Sequence, residues 1–180
     1  MEFEDFSKQL KQQDFLGIII LQLALTMGVI IFSGVVGVLF LIGQHEANIE
    51  SIDVVNLLSA VAGVLSFSSI MFFVALPKLR YKEDNLRGIF ESEDVVGSFM
   101  TQFRTTRIIQ MAVLEGAALL GVVTCLLAVL FGVMADKPMY WANLTPAIIM
   151  VLISVTNFPT KSHLYGHFKY LQDSYSLVKR

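Results

Sequence analysis

Polar side chains almost vanish from the chain in four places: Phe15–Ile42, about Val54–Leu76, Ile108–Met134 and about Tyr140–Asn157. A helix of roughly 20 apolar residues crosses the hydrocarbon of a bilayer. The four runs therefore predict four spanning helices, and the first and third are long enough to tilt or to project beyond the lipid. Gln22 is the only strongly polar residue in the first run. That run is too long for the apolar part of a signal peptide, and neither a basic leader nor a small-residue cleavage site frames it, so it is expected to be retained. No lipidation signal stands at either end.

Outside these runs the apolar positions recur at helical spacing. Phe3, Phe6 and Leu10 share one face of a short N-terminal helix, with Glu4, Asp5, Lys8 and Lys11 pointing elsewhere. From Ser92 the series Val96, Phe99/Met100, Phe103 leads into the third run, interrupted only by Gly97 and by no proline. Ser92 suits an N-cap, and Glu93 and Asp94 suit the positive end of the helix dipole, so the third helix is expected to begin near residue 93. After the fourth run Pro159 ends one helix, and Thr160 can cap another with Leu164, Phe168, Leu171 and Tyr175 on one side. The plain expectation is helices lying on the membrane with solvated outer faces. The sharper one is a docking surface for a cytoplasmic partner, built from the 77–107 loop and the C-terminal tail.

Composition agrees. The chain is 55% hydrophobic and 16% charged, with a mean hydropathy of +0.67. At 180 residues a core cannot hide that much apolar surface, so lipid must be the solvent for much of it. A net charge of −2 argues against nucleic acid as a partner. The single cysteine, Cys125, excludes an intrachain disulfide and is expected as a small core residue. The fold class expected is all-α: one integral membrane domain over residues 1–180, a four-helix bundle with short cytoplasmic amphipathic helices.

Charge orients it. Lys8 and Lys11, then Lys78, Arg80, Lys82, Arg87, Arg104 and Arg107, then Lys161, Lys169, Lys179 and Arg180 stand on one side of the predicted threading, against Lys137 alone on the other. The positive-inside rule puts both termini and the 77–107 loop in the cytoplasm of a cell lined by this plasma or inner membrane. Tyr140 and Trp141 are expected in the aromatic belt at the outer face.

Candidate chemistry is sparse. His163 and His167 stand four apart on the last helix, a spacing metals use, but no HExxH and no nearby cysteine accompanies them, and His45 falls in the outer loop. No nucleophile elbow, phosphate loop or dinucleotide fingerprint occurs. The expectation is a non-enzymatic protein without metal or cofactor. One residue breaks the apolar pattern: Glu115 is the only acidic or basic residue inside the four runs. It lies eight residues past Arg107, about 12 Å along a helix, where a carboxylate costs several kcal/mol unless it is protonated, paired or watered. Around the helix, Gln110, Ala117, Gly121, Thr124, Ala128 and Gly132 form a stripe of mostly small residues suited to close helix packing, and Glu115 points to nearly the opposite side, beside Ala112, Gly116 and Leu119. Within the bundle the candidate partners of Glu115 are Gln22 on the first helix and Ser66, Ser68 and Ser69 on the second.

The stretch RTTRIIQMAVLEGAALLGVVTCLLAVLF, Arg104 to Phe131, resembles the second helix of the rotary ATP synthase c subunit. Arg104, Glu115 and Gly121 match an arginine eleven residues before that family's ion-carrying carboxylate and a glycine six after it. The resemblance implies that Glu115 would carry a proton or sodium ion. It covers 28 of 180 residues, and the preceding helix has only Gly63 in LLSAVAGVLSFSSIMFF where the family's first helix is glycine-rich. Taken whole, the chain is similar to small uncharacterised four-span bacterial membrane proteins with a Pro-Thr/Ser-Lys turn after the last span, here Pro159–Lys161. Two functional readings follow: a non-enzymatic subunit or accessory protein whose partners are the bilayer and other membrane subunits or further copies of itself, and an ion-handling subunit working through Glu115. A carboxyl held inside the bundle by serine or glutamine supports the first, and one facing lipid, an aqueous cavity or a subunit interface supports the second. The threading has its own test. A membrane-impermeant thiol reagent should modify cysteines placed at Asn48 or Asp136 in intact cells and spare those at Asn85 or Ser174; labelling at Asn85 inverts the topology.

Overall fold

The computed structural model describes residues 1–43 and 52–178, so His45 and Asn48 lie outside the described residues. The described residues form α1 (Phe3–Gln9), α2 (Gln12–Ile42), α3 (Ile52–Arg80), α4 (Glu83–Phe90), α5 (Val95–Leu130), α6 (Val133–Asp136), a 3₁₀ helix (Pro138–Leu144), α7 (Thr145–Thr156) and α8 (Lys161–Val178), with no strand among them. Four units are long and apolar enough to cross a membrane: α2, α3, α5, and the 3₁₀ helix with α7 taken together. The protein is an all-α membrane four-helix bundle. Outward-facing Ile20, Ile31, Leu57, Phe67, Leu152 and Val155 are exposed, as a lipid solvent requires.

Helix α5 is the axis. Half of its most apolar window is buried, against 17% for α2 and 11% for α3, because those helices and α7 pack around it. Its 36 residues reach about 54 Å, well beyond a hydrocarbon layer of about 30 Å. The surplus at its N-terminal end creates a second core. In the apolar half, Val29, Val36, Met111, Ala118, Val122, Cys125 and Met150 pack together. At the other end Phe6, Leu86, Ile89, Phe99, Leu164 and Phe168 do so, drawing α1, α4 and α8 onto the projecting turns of α5. The ring of Phe6 lies 5.1 Å from Phe168 and 6.1 Å from Phe99, centre to centre. The amphipathic faces expected from the sequence are real, and they close on one another and on the projecting turns of α5. The first and last helices, α1 and α8, both sit at this end.

The helix ends follow from local chemistry. The cap of α5 is Asp94 and not Ser92: the Asp94 carboxylate accepts from the Gly97 N–H at 2.8 Å, whereas the Ser92 hydroxyl donates to the Ile89 carbonyl. An ionised acceptor at this position also meets the helix dipole, which a serine hydroxyl does less well. Thr160 caps α8 as expected, its Oγ1 accepting from the His163 N–H at 3.1 Å. The apolar run to Met134 is not one helix. It breaks at Gly132, whose φ of 69° suits a residue without a β-carbon and turns the chain into α6. The fourth span is composite, seven 3₁₀ residues and then twelve α residues, about 14 Å and 18 Å, which together match the bilayer.

At this turn Tyr140 is in the core and not in an aromatic belt: its hydroxyl donates to Asn56 Oδ1 at 2.6 Å, and Cys125 Sγ lies 3.3 Å from its carbonyl. Trp141 packs edge-on against Phe40. The stripe Ala117, Gly121, Thr124 and Ala128 is buried. A β-carbon on Gly121 would collide with the Asn143 backbone carbonyl, so the 3₁₀ helix sits as close to α5 as only glycine permits. Replacing Gly121 with leucine should therefore force the two apart and lower the melting temperature in detergent by roughly 3–10 °C, since overpacking costs about 1–3 kcal/mol. An unchanged melting temperature would place the contact elsewhere.

Candidate functional site

Two helices of the bundle end in a way that leaves backbone carbonyls without helical donors. Pro77 lies within α3 and has no N–H, so the Phe73 carbonyl four residues earlier lacks its usual partner. Pro159 disfavours helical backbone at Phe158, so α7 stops and the carbonyls of Ser154 and Asn157 are left open. Inside a bilayer such groups must be satisfied by the protein itself. Three long polar side chains do so. Gln110 Nε2 donates to the Phe73 carbonyl at 2.7 Å, Gln22 Nε2 to the Ser154 carbonyl at 2.7 Å, and Arg107 Nη2 to the Asn157 carbonyl at 2.8 Å.

Gln22 and Arg107 are joined as well. Arg107 Nε and Nη2 both point at Gln22 Oε1, each at 3.3 Å, while the Thr26 hydroxyl donates to the Gln22 carbonyl and meets the Ser154 hydroxyl at 2.8 Å. Gln22 and Arg107 are 2% and 8% exposed, so this knot of α2, α5 and the end of α7 is enclosed. Arg107 therefore belongs to the bundle. It is a cation with amide and carbonyl partners and no ion pair among the described residues, its guanidinium standing 5.8 Å from the Phe73 ring centre.

Beside the knot lies a cavity of about 220 Å³, walled by Phe73, Pro77, Tyr81, Phe103, Arg107 and His167, with Thr106, Gln110, Asn157 and His163 also on its surface. The Tyr81 hydroxyl is shut away from solvent without a hydrogen bond of good geometry, and burial pushes its pKa up to about 12, with Thr106 and Arg80 nearby pulling the other way. His167 packs edge-on against Tyr81 and Phe103. Burial, with the neighbouring His163 adding to it, pushes its pKa down to about 4, so its ring is neutral at pH 7. The stability this neutral ring confers is complete above about pH 6.5 and falls as pH drops toward 4, because the unfolded chain takes up the proton first.

Glu115 is somewhere else. Its side chain is partly exposed, between exposed Ala112 and Gly116, on the side of α5 away from the buried stripe. The expected partners do not reach it. Gln22 is committed to Arg107 and Ser154. Ser66 turns back to the Ala62 carbonyl, Ser69 donates to the Leu65 carbonyl at 2.7 Å with the Val113 carbonyl 3.3 Å away, and Ser68 is exposed on the outside of α3. Serines one turn from a carbonyl of their own helix satisfy themselves locally. Among the described residues Glu115 has no hydrogen bond and no ion pair.

Arg107 was the residue the sequence hid. It reads there as the last cation of a charged loop, although its place one residue before the apolar run, three before Gln110, is the signal that could have marked it. Comparison with protein families, with curated proteins and with solved structures gives no match. Gln22→Leu would strip Arg107 of its side-chain acceptor and the Ser154 carbonyl of its donor. A loss of about 2–4 kcal/mol is expected, seen as a melting temperature lower by at least about 5 °C in detergent. A variant as stable as the wild type would mean that Arg107 is held by other groups.

Proposed function

We propose that the protein is a non-enzymatic membrane subunit that assembles through the Glu115 face of α5, in the plasma or inner membrane with both termini in the cytoplasm. One observation carries this: a carboxyl at hydrocarbon depth has no partner within its own chain among the described residues, and small residues flank it. An ionised side chain at the middle of a spanning helix costs roughly 3 kcal/mol on insertion scales, so a neighbour that bonds the carboxyl is favoured. Ala112 and Gly116 let such a neighbour approach closely. A second copy meets the requirement without further chemistry. A carboxyl that keeps its proton both donates and accepts, so two Glu115 side chains related by a two-fold axis satisfy each other. The twelve-to-one bias of lysine and arginine supports the orientation, and the gathering of α1, α4 and α8 at one end agrees with both termini lying on the same side.

The second reading, an ion-handling subunit, is favoured by the same outward position together with the spacing of Arg104, Glu115 and Gly121. Glutamine separates the two, since it retains hydrogen bonding but cannot bind and release a proton. With a cysteine at Ala112, oxidative cross-linking between copies in the membrane should be preserved in Glu115→Gln and reduced several-fold in Glu115→Leu. Equal cross-linking in all three forms would remove the assembly reading. A glutamine variant that inserts and cross-links normally, yet behaves in the cell like a deletion, would hand the role to ion transfer.

A further inference from the structure

A second hollow opens between the start of α2 and the outward side of α5. It measures about 300 Å³ and is lined by Asp14, Met100, Thr101, Arg104, Thr105 and Ile108. It holds one cation and one carboxylate that do not meet. Among the described residues neither Arg104 nor Asp14 makes an ion pair or a side-chain hydrogen bond. Lys11, three residues before Asp14, reaches to Asp94 instead, 3.9 Å away. The Arg104 guanidinium lies along α2 at Gly17, where even a β-carbon would stand only 3.9 Å from its Nη2. Thr101 and Thr105 each donate to the carbonyl one turn back, at 3.0 Å and 2.9 Å, which leaves lone pairs on both oxygens. The hollow therefore presents a forked cation at one place and acceptors at another, with a gap between them that the chain does not bridge.

We propose that this cavity binds the phosphoethanolamine headgroup of a membrane phospholipid, with Arg104 on the phosphate and Asp14 on the ammonium. Guanidinium matches phosphate oxygens and forms short charge-assisted bonds with them. A primary ammonium has three N–H donors, for the Asp14 carboxylate and the threonine oxygens. Phosphocholine carries the same charges, but its nitrogen has no N–H to give. Phosphoglycerol brings only an anion, which leaves Asp14 uncompensated beside a like charge. Depth favours a lipid as the source. Asp14 is the last residue before the apolar run that opens at Phe15, and Arg104 stands four residues, about 6 Å, before the run that opens at Ile108. The polar layer on each side of the hydrocarbon is about 5–8 Å thick, so both charges fall at the level of headgroups. Ile108, also on the cavity wall, gives the attached chains an apolar exit.

The test uses the full chain, freed of lipid in a non-ionic detergent, and native mass spectrometry with competing dioleoyl lipids that differ only in headgroup. Phosphatidylethanolamine should bind about fivefold or more tightly than phosphatidylcholine and phosphatidylglycerol. Free phosphoethanolamine is the fourth probe: if it leaves the bound lipid in place, a lipid is the source, and if it displaces the lipid at equal concentration, the same site takes a soluble headgroup. Two variants assign the contacts. Asp14→Asn should bring phosphatidylethanolamine down to the level of phosphatidylcholine, because only the ammonium contact is lost. Arg104→Gln should weaken both, because both share the phosphate. Arg87→Gln makes the same change of charge on α4, where the arginine is turned to Glu83 and lies outside the cavity, and it should bind like the wild type. The proposal is overturned if the wild type binds phosphatidylethanolamine and phosphatidylcholine alike, if Asp14→Asn keeps the preference, or if Arg104→Gln weakens binding no more than Arg87→Gln does.

Discussion

The polar knot between α2, α3, α5 and α7 follows from the need to satisfy backbone carbonyls that proline has stranded. A spanning helix normally meets this need with its own ladder of hydrogen bonds. Here Pro77 breaks the ladder of α3, and Pro159 cuts α7 short. The open carbonyls of Phe73, Ser154 and Asn157 are reached by Gln110, Gln22 and Arg107, each from a different helix than the carbonyl it serves. What would be a defect in an isolated helix thus becomes the connection between helices. Lipid supplies no competing donors, so these connections also decide which helices are neighbours. The tie between α2 and α7 joins residues 132 positions apart.

The same end of the molecule carries the second core. Because α5, at about 54 Å, is longer than a hydrocarbon layer of about 30 Å, its first three turns continue past the apolar run and offer Val96, Phe99 and Met100 to α1, α4 and α8. Aromatic contacts dominate this region: Phe6, Phe90 and Phe99 all pack around Phe168. The short helices therefore pack onto α5 beyond its apolar run. His167, on α8, belongs to the cavity wall and touches Phe99 and Phe103 of α5, so this second core and the polar knot share a boundary.

The axial helix shows two opposed chemical faces along one length. One side, with Arg107 and Gln110, is drawn inward and saturated by carbonyls except for a single guanidinium group at the cavity. The other, with Ala112, Glu115 and Gly116, is left open between the neighbouring helices. This division reflects where α2, α3 and α7 pack against α5: they cover the stripe through Gly121, where a missing β-carbon lets the Asn143 backbone come close, and they leave the carboxyl uncovered.

Hydropathy is a sum over neighbouring residues, so the four spans, the all-α class and the helical faces of the end segments could be read directly from the chain. The position of Glu115 on the side away from the small-residue stripe could be read too, because a helix converts spacing into direction by a fixed rotation per residue. Cap choice was legible in kind but not in place: Ser92 and Asp94 both suit a cap, and only the actual start of α5 at Val95 decides for Asp94. The partners of the polar residues were not legible. Gln22, Ser66, Ser68 and Ser69 are plausible neighbours of Glu115 by depth, yet depth says nothing about which helix lies beside which, and the serines had nearer acceptors in their own backbone. Arg107 read as a loop charge because its acceptors, Gln22 and the Asn157 carbonyl, are 85 and 50 residues away. Only the tertiary packing brings stranded carbonyls within reach of side chains so distant in sequence, since hydrogen bonds are made across a few ångströms of space and carry no record of separation along the chain.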